Sequence, residues 1–473
     1  MPQPLVVNPL RLADSYKDGH FYGPDVSELL SYYEARGGEF PHSVLFGLQY
    51  KLMCHFEGQF FTRENLDEQF ENAKQHFSPT FPYNYAGWDH ILTKHGGRLP
   101  IEIRAVKEGT PVPIHNAMFT IKSTDPACIW IEQWVETVLQ QTWGPSVVAT
   151  KSRMVKELIR DFLTKTSDSY ATLPFQLHDF GFRGCLAVEE AALAGAAHLV
   201  NFLGTDTQVA MDLLHQFYGA PRVSGYSVFA SEHSMMTLYG RDGEAKVVES
   251  ILAKHPTGII SIVGDSYDIY NFCQNIIGGK FREQIRNRDG KVVVRPDSGD
   301  PTVVIPKCSD ILAEKFGFRE TSKGYKALAP CIGLIQGDGM DYFSIKDMFQ
   351  AAANNYYSAE NYVVGMGGGL LRKVNRDTQK VAIKLCNAII GGTDTPVSKD
   401  PITDPGKKSK SGRPALVYDK INNSYHTVQD IHGHGVAGDI LEPVFRNGEM
   451  LRVQNLDEIR KLVEVALPVT VAA

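Results

Sequence analysis

The chain reads as an α/β protein: an irregular (β/α) barrel joined to a second, sandwich-like α+β domain made from the N- and C-terminal regions. Three observations predict this. Seven short apolar runs each break off into a cluster of acids, arginine, histidine, glycine or proline. Helix-like stretches such as 244–254 and 345–357 lie between several of them, so the repeat is roughly 25 to 40 residues, a strand plus its crossover helix. The two ends of the chain have another texture, with alternating strand-like pieces among prolines and glycines. The expected domains are 1–150 together with 377–473, and 151–376 for the barrel. A doubly wound open sheet is the alternative the same pattern allows.

The clearest run is Val292-Val293-Val294, which ends in Arg295-Pro296-Asp297-Ser298-Gly299. A continuous β-branched run bounded by turn residues is a strand covered on both faces, with the chemistry at its C-terminal end. The same grammar covers 175–183, His198–Phe202 into Gly204-Thr205-Asp206, and Tyr226–Val228 into Ser231-Glu232-His233. It recurs in Ile259–Val263 into Gly264-Asp265, Ile332–Ile335 into Gly337-Asp338, and Tyr362–Val364 into Gly365–Gly369.

Ahead of the barrel, Asp14 or Ser15 is placed to cap a short helix facing Tyr16 and Lys17 outward, either approaching a site or forming a plain surface turn. Residues 44–58 and 64–76 have helical apolar spacing, and 99–121 alternates as strands of a mixed or antiparallel sheet. The stretch 128–166 predicts a long helical link broken near Gly144-Pro145, with Trp130, Trp134 and Trp143 as packing residues. Beyond Arg376, Val381–Leu385 is strand-like, and Pro443–Val465 holds a strand and then a helix. The basic segment 393–413 is either a solvated loop or an arm that binds phosphates.

Length favours two domains, and 43% hydrophobic with 22% charged residues describes an ordinary soluble protein. A net charge of −6 gives no support for a nucleic-acid partner. The seven scattered cysteines contain no CxxC pair, so neither a zinc cage nor a disulfide framework is expected. No apolar run is long enough to span a bilayer and the first twenty residues carry charges, so the expectation is a cytoplasmic protein without membrane contact. There is no GxxxxGK[ST] loop and no GxSxG elbow, which disfavours P-loop kinases and hydrolases of that type.

A single aspartate after a strand often only caps the next helix. A ring of Asp179, Asp206, His233, Asp265, Asp297 and Asp338, with Arg183, Arg295 and a glycine run, suits a phosphorylated sugar better. At this point Leu177–Gly184, Gly204–Thr207, Ser231–Ser234, Gly264–Asp268, Arg295–Gly299, Gln336–Gly339 and Gly367–Gly369 resemble, in order, the nicotinamide phosphoribosyltransferases. Asp14–Lys17, Lys399–Pro401 and Lys407 extend the resemblance over nearly the whole chain.

The resemblance implies a homodimer with shared active sites and transfer from phosphoribosyl pyrophosphate to nicotinamide. It implies that nicotinamide lies between Phe180 and Tyr16 of the partner copy, with Arg183 beside it and Asp206 holding its carboxamide and repelling nicotinate. Phosphoribosyl pyrophosphate would meet Arg183, Arg295, Asp297, Gly337, Asp338, Gly367 and Gly368, with Arg376, Lys384, Lys399 and Lys407 from the second subunit. Mg²⁺ would come in mainly through pyrophosphate and water. ATP would phosphorylate His233, oriented by Asp265. Ala382 departs from the pattern, where a serine contacts phosphate, and segment 34–43 is shorter than in animal members. Nicotinate phosphoribosyltransferase and a catalytically silent, dimeric ligand-binding protein are the rival readings.

Overall fold

The computed structural model describes residues 6–404, 407–430 and 435–464. It separates into two compact units. One comprises Met1–Thr150, Gln216–Gly219 and Asn375–Ala473; the other comprises Lys151–His215 and Ala220–Val374.

The second unit carries seven parallel strands: β1 (Leu177–Asp179), β2 (Gly204–Thr205), β3 (Phe229–Ala230), β4 (Thr257–Val263), β5 (Asp289–Arg295), β6 (Ile332–Gln336) and β7 (Tyr362–Met366). Each pairs with its sequence neighbour, and β7 returns to pair with β1. Between β2 and β3, which do not pair as strands, the ring is joined among the described residues by a bridge from Gly204 to Tyr226. An open doubly wound sheet would reverse strand order at a switch point. Here the order is sequential, so the sheet is the irregular barrel. Val292, Val294, Leu334 and Val364 are fully buried, as strands covered on both faces require.

Helices Glu244–Lys254, Pro301–Phe316 and Tyr342–Asn354 fill crossovers of this ring. Asp300 and Asp341 cap the last two through backbone N–H groups of the first turn. The second of these begins earlier than the expected 345–357, because the Asp341 cap is a start signal stronger than the apolar spacing.

Two expectations are overturned. His198–Phe202 is not a strand: His198 and Leu199 close the helix Val188–Leu199, and β2 is only Gly204–Thr205. A short apolar run does not separate a buried helix end from a buried strand. Burial pushes the His198 imidazole down to about 4, partly opposed by the Asp179 charge and a Gly204 carbonyl. The third strand likewise lies at Phe229–Ala230, after the expected Tyr226–Val228. Gly144-Pro145 lies beside a break in the helical stretch, as expected. It sits in the first turn of Trp143–Thr166, where a missing proline N–H costs nothing, and the break falls just before it.

The first unit is organised on an antiparallel sheet in the order Thr393–Pro396, Val381–Ile390, Val26–Ala35, Ala117–Ser123, Ile101–Ala105, Glu442–Arg446 and Glu449–Met450. Strands from both ends of the chain therefore share one sheet. Helix Arg63–His76 appears where expected, whereas 44–58 divides into strand His42–Val44 and helix Leu48–His55. Trp88 is buried edge-on against Trp130, Trp134 and Phe61 at 4.7, 4.9 and 5.3 Å, so these rings are packing. Gln216–Gly219 joins this unit through Tyr218, which stacks on Phe46 and donates to Glu108 at 3.0 Å. Helix Leu456–Val463 follows the last strand, and Val465 lies outside the described residues.

The basic segment is not simply a loop. It opens as the edge strand Thr393–Pro396, and Lys410, Lys408, Lys407 and Arg413 pair with Glu34, Asp400, Asp404 and Asp394.

Lys17 corrects another expectation. It turns inward from the short 3-10 helix Ser15–Gly19, donating to Glu136 at 2.6 Å and to the Gln133 carbonyl at 2.8 Å. Asp14 makes no side-chain cap and instead accepts from Thr137. Nearby, Glu132 is fully buried and its carboxyl is pushed up to about 7, first by burial and then by Glu136. Ser31, Gln133 and Lys17 oppose the rise. An acid with a raised folded pKa contributes stability that is complete below its unfolded value, 4.5, and lost as pH rises through about 7. Glu132→Gln is expected to remove that loss, gaining about 2–3 kcal/mol above pH 8 and little at pH 5, as read by thermal unfolding. Equal unfolding shifts at the two pH values would refute it.

Candidate active site

At the C-terminal end of the barrel strands lies a cavity of about 650 Å³. Its wall includes Phe180, Arg183, Asp206, Arg295, Asp297, Gly337, Asp338, Gly367 and Gly368. Nine positions singled out from the sequence thus come together in one place, all from the barrel unit.

Phe180 follows β1, and its backbone N–H bonds the Met366 carbonyl at 3.0 Å. Its ring lies across Gly365, where an added Cβ would stand only 2.0 Å from the ring edge. The absent side chain at 365 is therefore what lets the aromatic platform lie against β7. Asp179, one of the acids at the strand ends, is fully buried. It accepts from the Gly181 N–H at 2.7 Å and from Thr205 Oγ1 at 3.2 Å, so it ties β1 to β2 and is not available to a ligand.

Asp206, just beyond β2, remains half exposed. It accepts from His178 Nε2 at 3.0 Å and from the Ser227 hydroxyl. Burial alone would raise its carboxyl, but the His178 bond and charge, Ser227 and the Arg295 charge outweigh that and hold it below the ordinary range. Arg295 closes β5 with Nη2 on the Ser231 carbonyl at 3.2 Å and Nε 3.6 Å from Asp297 Oδ1. Its Nε is buried without a hydrogen-bond acceptor, an orphan donor at the cavity wall. Asp297 is held above the ordinary range by burial, with Asp265 and Asp338 adding to the rise and Arg295 and His233 opposing it. His233 begins the short helix His233–Met236, half exposed, with Nε2 2.9 Å from the buried Asp265 carboxylate.

Tyr16, Arg376, Lys384, Lys399 and Lys407 belong to the other compact unit and do not line this cavity. Tyr16 is 62% exposed. Burial lowers the Lys384 ammonium, Glu136 opposes this, and Arg36, Arg376 and Lys399 lower it further, so these three cations and one acid lie within electrostatic reach of Lys384. Ala382 is buried in the same strand and offers no hydroxyl.

The sequence assigns no role to Arg36, His178 and Ser227, although His178 and Ser227 lie inside the stretches 175–183 and Tyr226–Val228 already noticed. His90, His95 and Asp125 bring donor atoms within 4.8 Å of one another, but Lys94 Nζ already occupies the same carboxylate oxygen at 3.2 Å. Among the described residues no helix is long and apolar enough to cross a membrane.

A family model described as the nicotinate phosphoribosyltransferase (NAPRTase) family matches residues 175–449, more than half of the chain. The chain belongs to the nicotinate phosphoribosyltransferase family. A second model, the N-terminal domain of nicotinamide phosphoribosyltransferase, matches residues 8–103. Within the family, the chain is 42% identical to the nicotinamide phosphoribosyltransferase of Xanthomonas campestris pv. campestris, over 97% of this chain and 98% of that one. It is 30% identical to the enzyme of that name from Acinetobacter baylyi, over 96% and 97%.

Two solved structures share the fold at low identity. The nicotinate-nucleotide pyrophosphorylase of Pyrococcus furiosus has a TM-score of 0.56 at 15% identity, covering 93% of this chain and 88% of that one. Human nicotinic acid phosphoribosyltransferase has 0.51 at 14%, covering 93% and 89%.

Proposed function

We propose that this chain transfers the phosphoribosyl group of phosphoribosyl pyrophosphate to nicotinamide, giving nicotinamide mononucleotide and pyrophosphate for NAD salvage. The observation that carries the choice of base is the Asp206 carboxylate, kept ionised at the cavity wall beside Phe180. A carboxylate there accepts from a carboxamide NH₂ and repels the carboxylate of nicotinate. The relatives named nicotinamide phosphoribosyltransferase support the same choice.

The ring stacks on Phe180, and Tyr16 of a second copy covers its other face. Arg183 and Arg295 take phosphate oxygens, the buried Nε of Arg295 gaining an acceptor. Gly367 and Gly368 bring bare backbone to the 5′-phosphate, and no atom lies within 4 Å of a Cβ built on Gly368. Arg376, Lys384, Lys399 and Lys407 reach in from the second copy of a homodimer. The pyridine nitrogen lone pair forms the new bond to the anomeric carbon as the bond to pyrophosphate breaks with its electron pair. No general base is needed. The residues contribute alignment and charge.

Mg²⁺ fits the acids present, since burial, with Asp265 and Asp338 adding to it, holds the Asp297 carboxyl up and its ionised form gains from a neighbouring cation. When bound with pyrophosphate it would neutralise leaving-group charge. ATP is the second proposed ligand. With Nε2 of His233 tied to Asp265, Nδ1 is the nitrogen that takes the γ-phosphoryl group as ADP leaves. A cytoplasmic location belongs to the same reading, supported by seven cysteines that form no disulfide.

The test is product formation from phosphoribosyl pyrophosphate and Mg²⁺, with nicotinamide and nicotinate in parallel, with and without ATP. Mononucleotide from nicotinamide, stimulated by ATP in the wild type but not in His233→Ala, is the expected result. Product from nicotinate alone would move the chain to the rival activity, and no product from either base would leave a silent ligand-binding scaffold.

A further inference from the structure

We propose that His178 and Ser227 are positioning residues for Asp206: together they engage one of its two carboxylate oxygens and present the other to the carboxamide, so that base selectivity depends on all three. The inference rests on the nicotinamide-transfer reading above.

The geometry begins with strand alternation. Leu177 and Asp179 are fully buried on one side of β1, so His178 projects from the other. Its side chain is only 12% exposed, and Nε2 lies 3.0 Å from Asp206 Oδ1. The absent side chain of Gly204 leaves room for the ring, because a Cβ there would come within 2.8 Å of His178 Nδ1. Donation to a carboxylate requires the hydrogen on Nε2, so the contact also selects the imidazole tautomer.

Ser227 arrives by a different route. The bridge that joins β2 to the approach of β3 bonds Thr205 N–H to the Tyr226 carbonyl at 2.9 Å. That bond sets Ser227, next in the chain, beside Asp206, which follows Thr205. The Ser227 hydroxyl then donates to Asp206 Oδ1, the same oxygen His178 uses. Among the described residues no hydrogen bond reaches Oδ2. The weakest seam of the barrel thus becomes the place where three successive segments converge on one carboxylate. Two donors on Oδ1 fix the carboxylate plane, and Oδ2 stays open to an amide N–H.

A packing role is the competing account, because the His178 ring also lies 5.0 Å from that of Phe180, tilted by 47°. Two substitutions separate the accounts. His178→Gln keeps an N–H donor at similar reach and loses the ring; His178→Phe keeps the ring and loses the donor.

In the full-length protein, kcat and KM would be measured for nicotinamide and nicotinate with saturating phosphoribosyl pyrophosphate. His178→Gln is expected within about threefold of wild type, and His178→Phe is expected to raise KM for nicotinamide about tenfold while moving kcat less. The nicotinamide-to-nicotinate ratio should fall in His178→Phe with it. Ser227→Ala, at an exposed position, should shift KM the same way by about threefold. A reversed order, with His178→Phe near wild type and His178→Gln impaired, would mean ring packing and overturn the proposal. So would an unchanged KM in Ser227→Ala. If the wild type itself makes product only from nicotinate, the underlying reading fails instead, and that is seen before any variant is compared.

Discussion

Asp206→Ser is expected to lower kcat/KM for nicotinamide by about 100-fold while raising that for nicotinate by about tenfold or more. The first number follows from a hydrogen bond to a charged acceptor, about 1.5–3 kcal/mol, at about 1.4 kcal/mol per decade. The second follows from removing a like charge: two unit charges about 4 Å apart at a protein surface repel by about 4 kcal/mol, of which screening leaves part. Because His178, Ser227 and Arg295 hold the Asp206 carboxyl below its ordinary 3.8, the charge persists through mild acid. A depressed acid contributes stability that is present above its unfolded value and lost only as pH falls through the folded one. Wild-type selectivity should accordingly be flat between about pH 5 and 8. Steady-state kinetics with both bases reads all of this. A serine variant with the wild-type preference would show that base choice lies elsewhere.

The barrel was legible because its strands are covered on both faces. Val292–Val294 and Ile332–Ile335 are uninterrupted apolar runs for that reason, and their polar ends mark one rim of the ring. What the sequence hid follows from the same physics. β2 is two residues long, too short for any periodicity, and the buried helix end His198-Leu199 just before it imitates a strand. Likewise, Lys17 looked like a surface lysine because composition does not reveal that Glu136 waits for it across 119 positions.

The candidate site divides along a similar line. Residues on strand ends, such as Asp206 and Arg295, announce themselves by interrupting an apolar run. Those that act through another residue do not. His178 sits inside a motif already recognised, and its partner Ser227 reaches Asp206 only through a bridge no local pattern encodes. Asp179 is the reverse case, conspicuous in sequence and buried as a strut between strands.

Arg295→Ala should be the most damaging single change, lowering kcat/KM for phosphoribosyl pyrophosphate by about 1,000-fold. Removing one member of a desolvated charge pair costs about 3–5 kcal/mol, because the charge left behind is uncompensated. Here that charge is Asp297, 3.6 Å from the guanidinium and already raised by burial, Asp265 and Asp338. The variant would therefore lose the proposed phosphate donor and gain an acidic wall that repels pyrophosphate. KM for nicotinamide should change by less than about threefold if, as proposed, the base is held at Phe180 and Asp206. Arg295→Lys restores the charge without the planar fork, and about a 30-fold deficit should remain. Stability supplies an independent check. An acid raised in the folded state contributes stability that is complete below its unfolded value and lost as pH rises through the folded one. Without Arg295 the Asp297 carboxyl rises further, so the melting deficit of Arg295→Ala should be small near pH 4 and grow toward neutrality. Losses shared equally by the two substrates, or a deficit that shrinks as pH rises, would mean Arg295 acts on the fold as a whole and not on the phosphate side of the site.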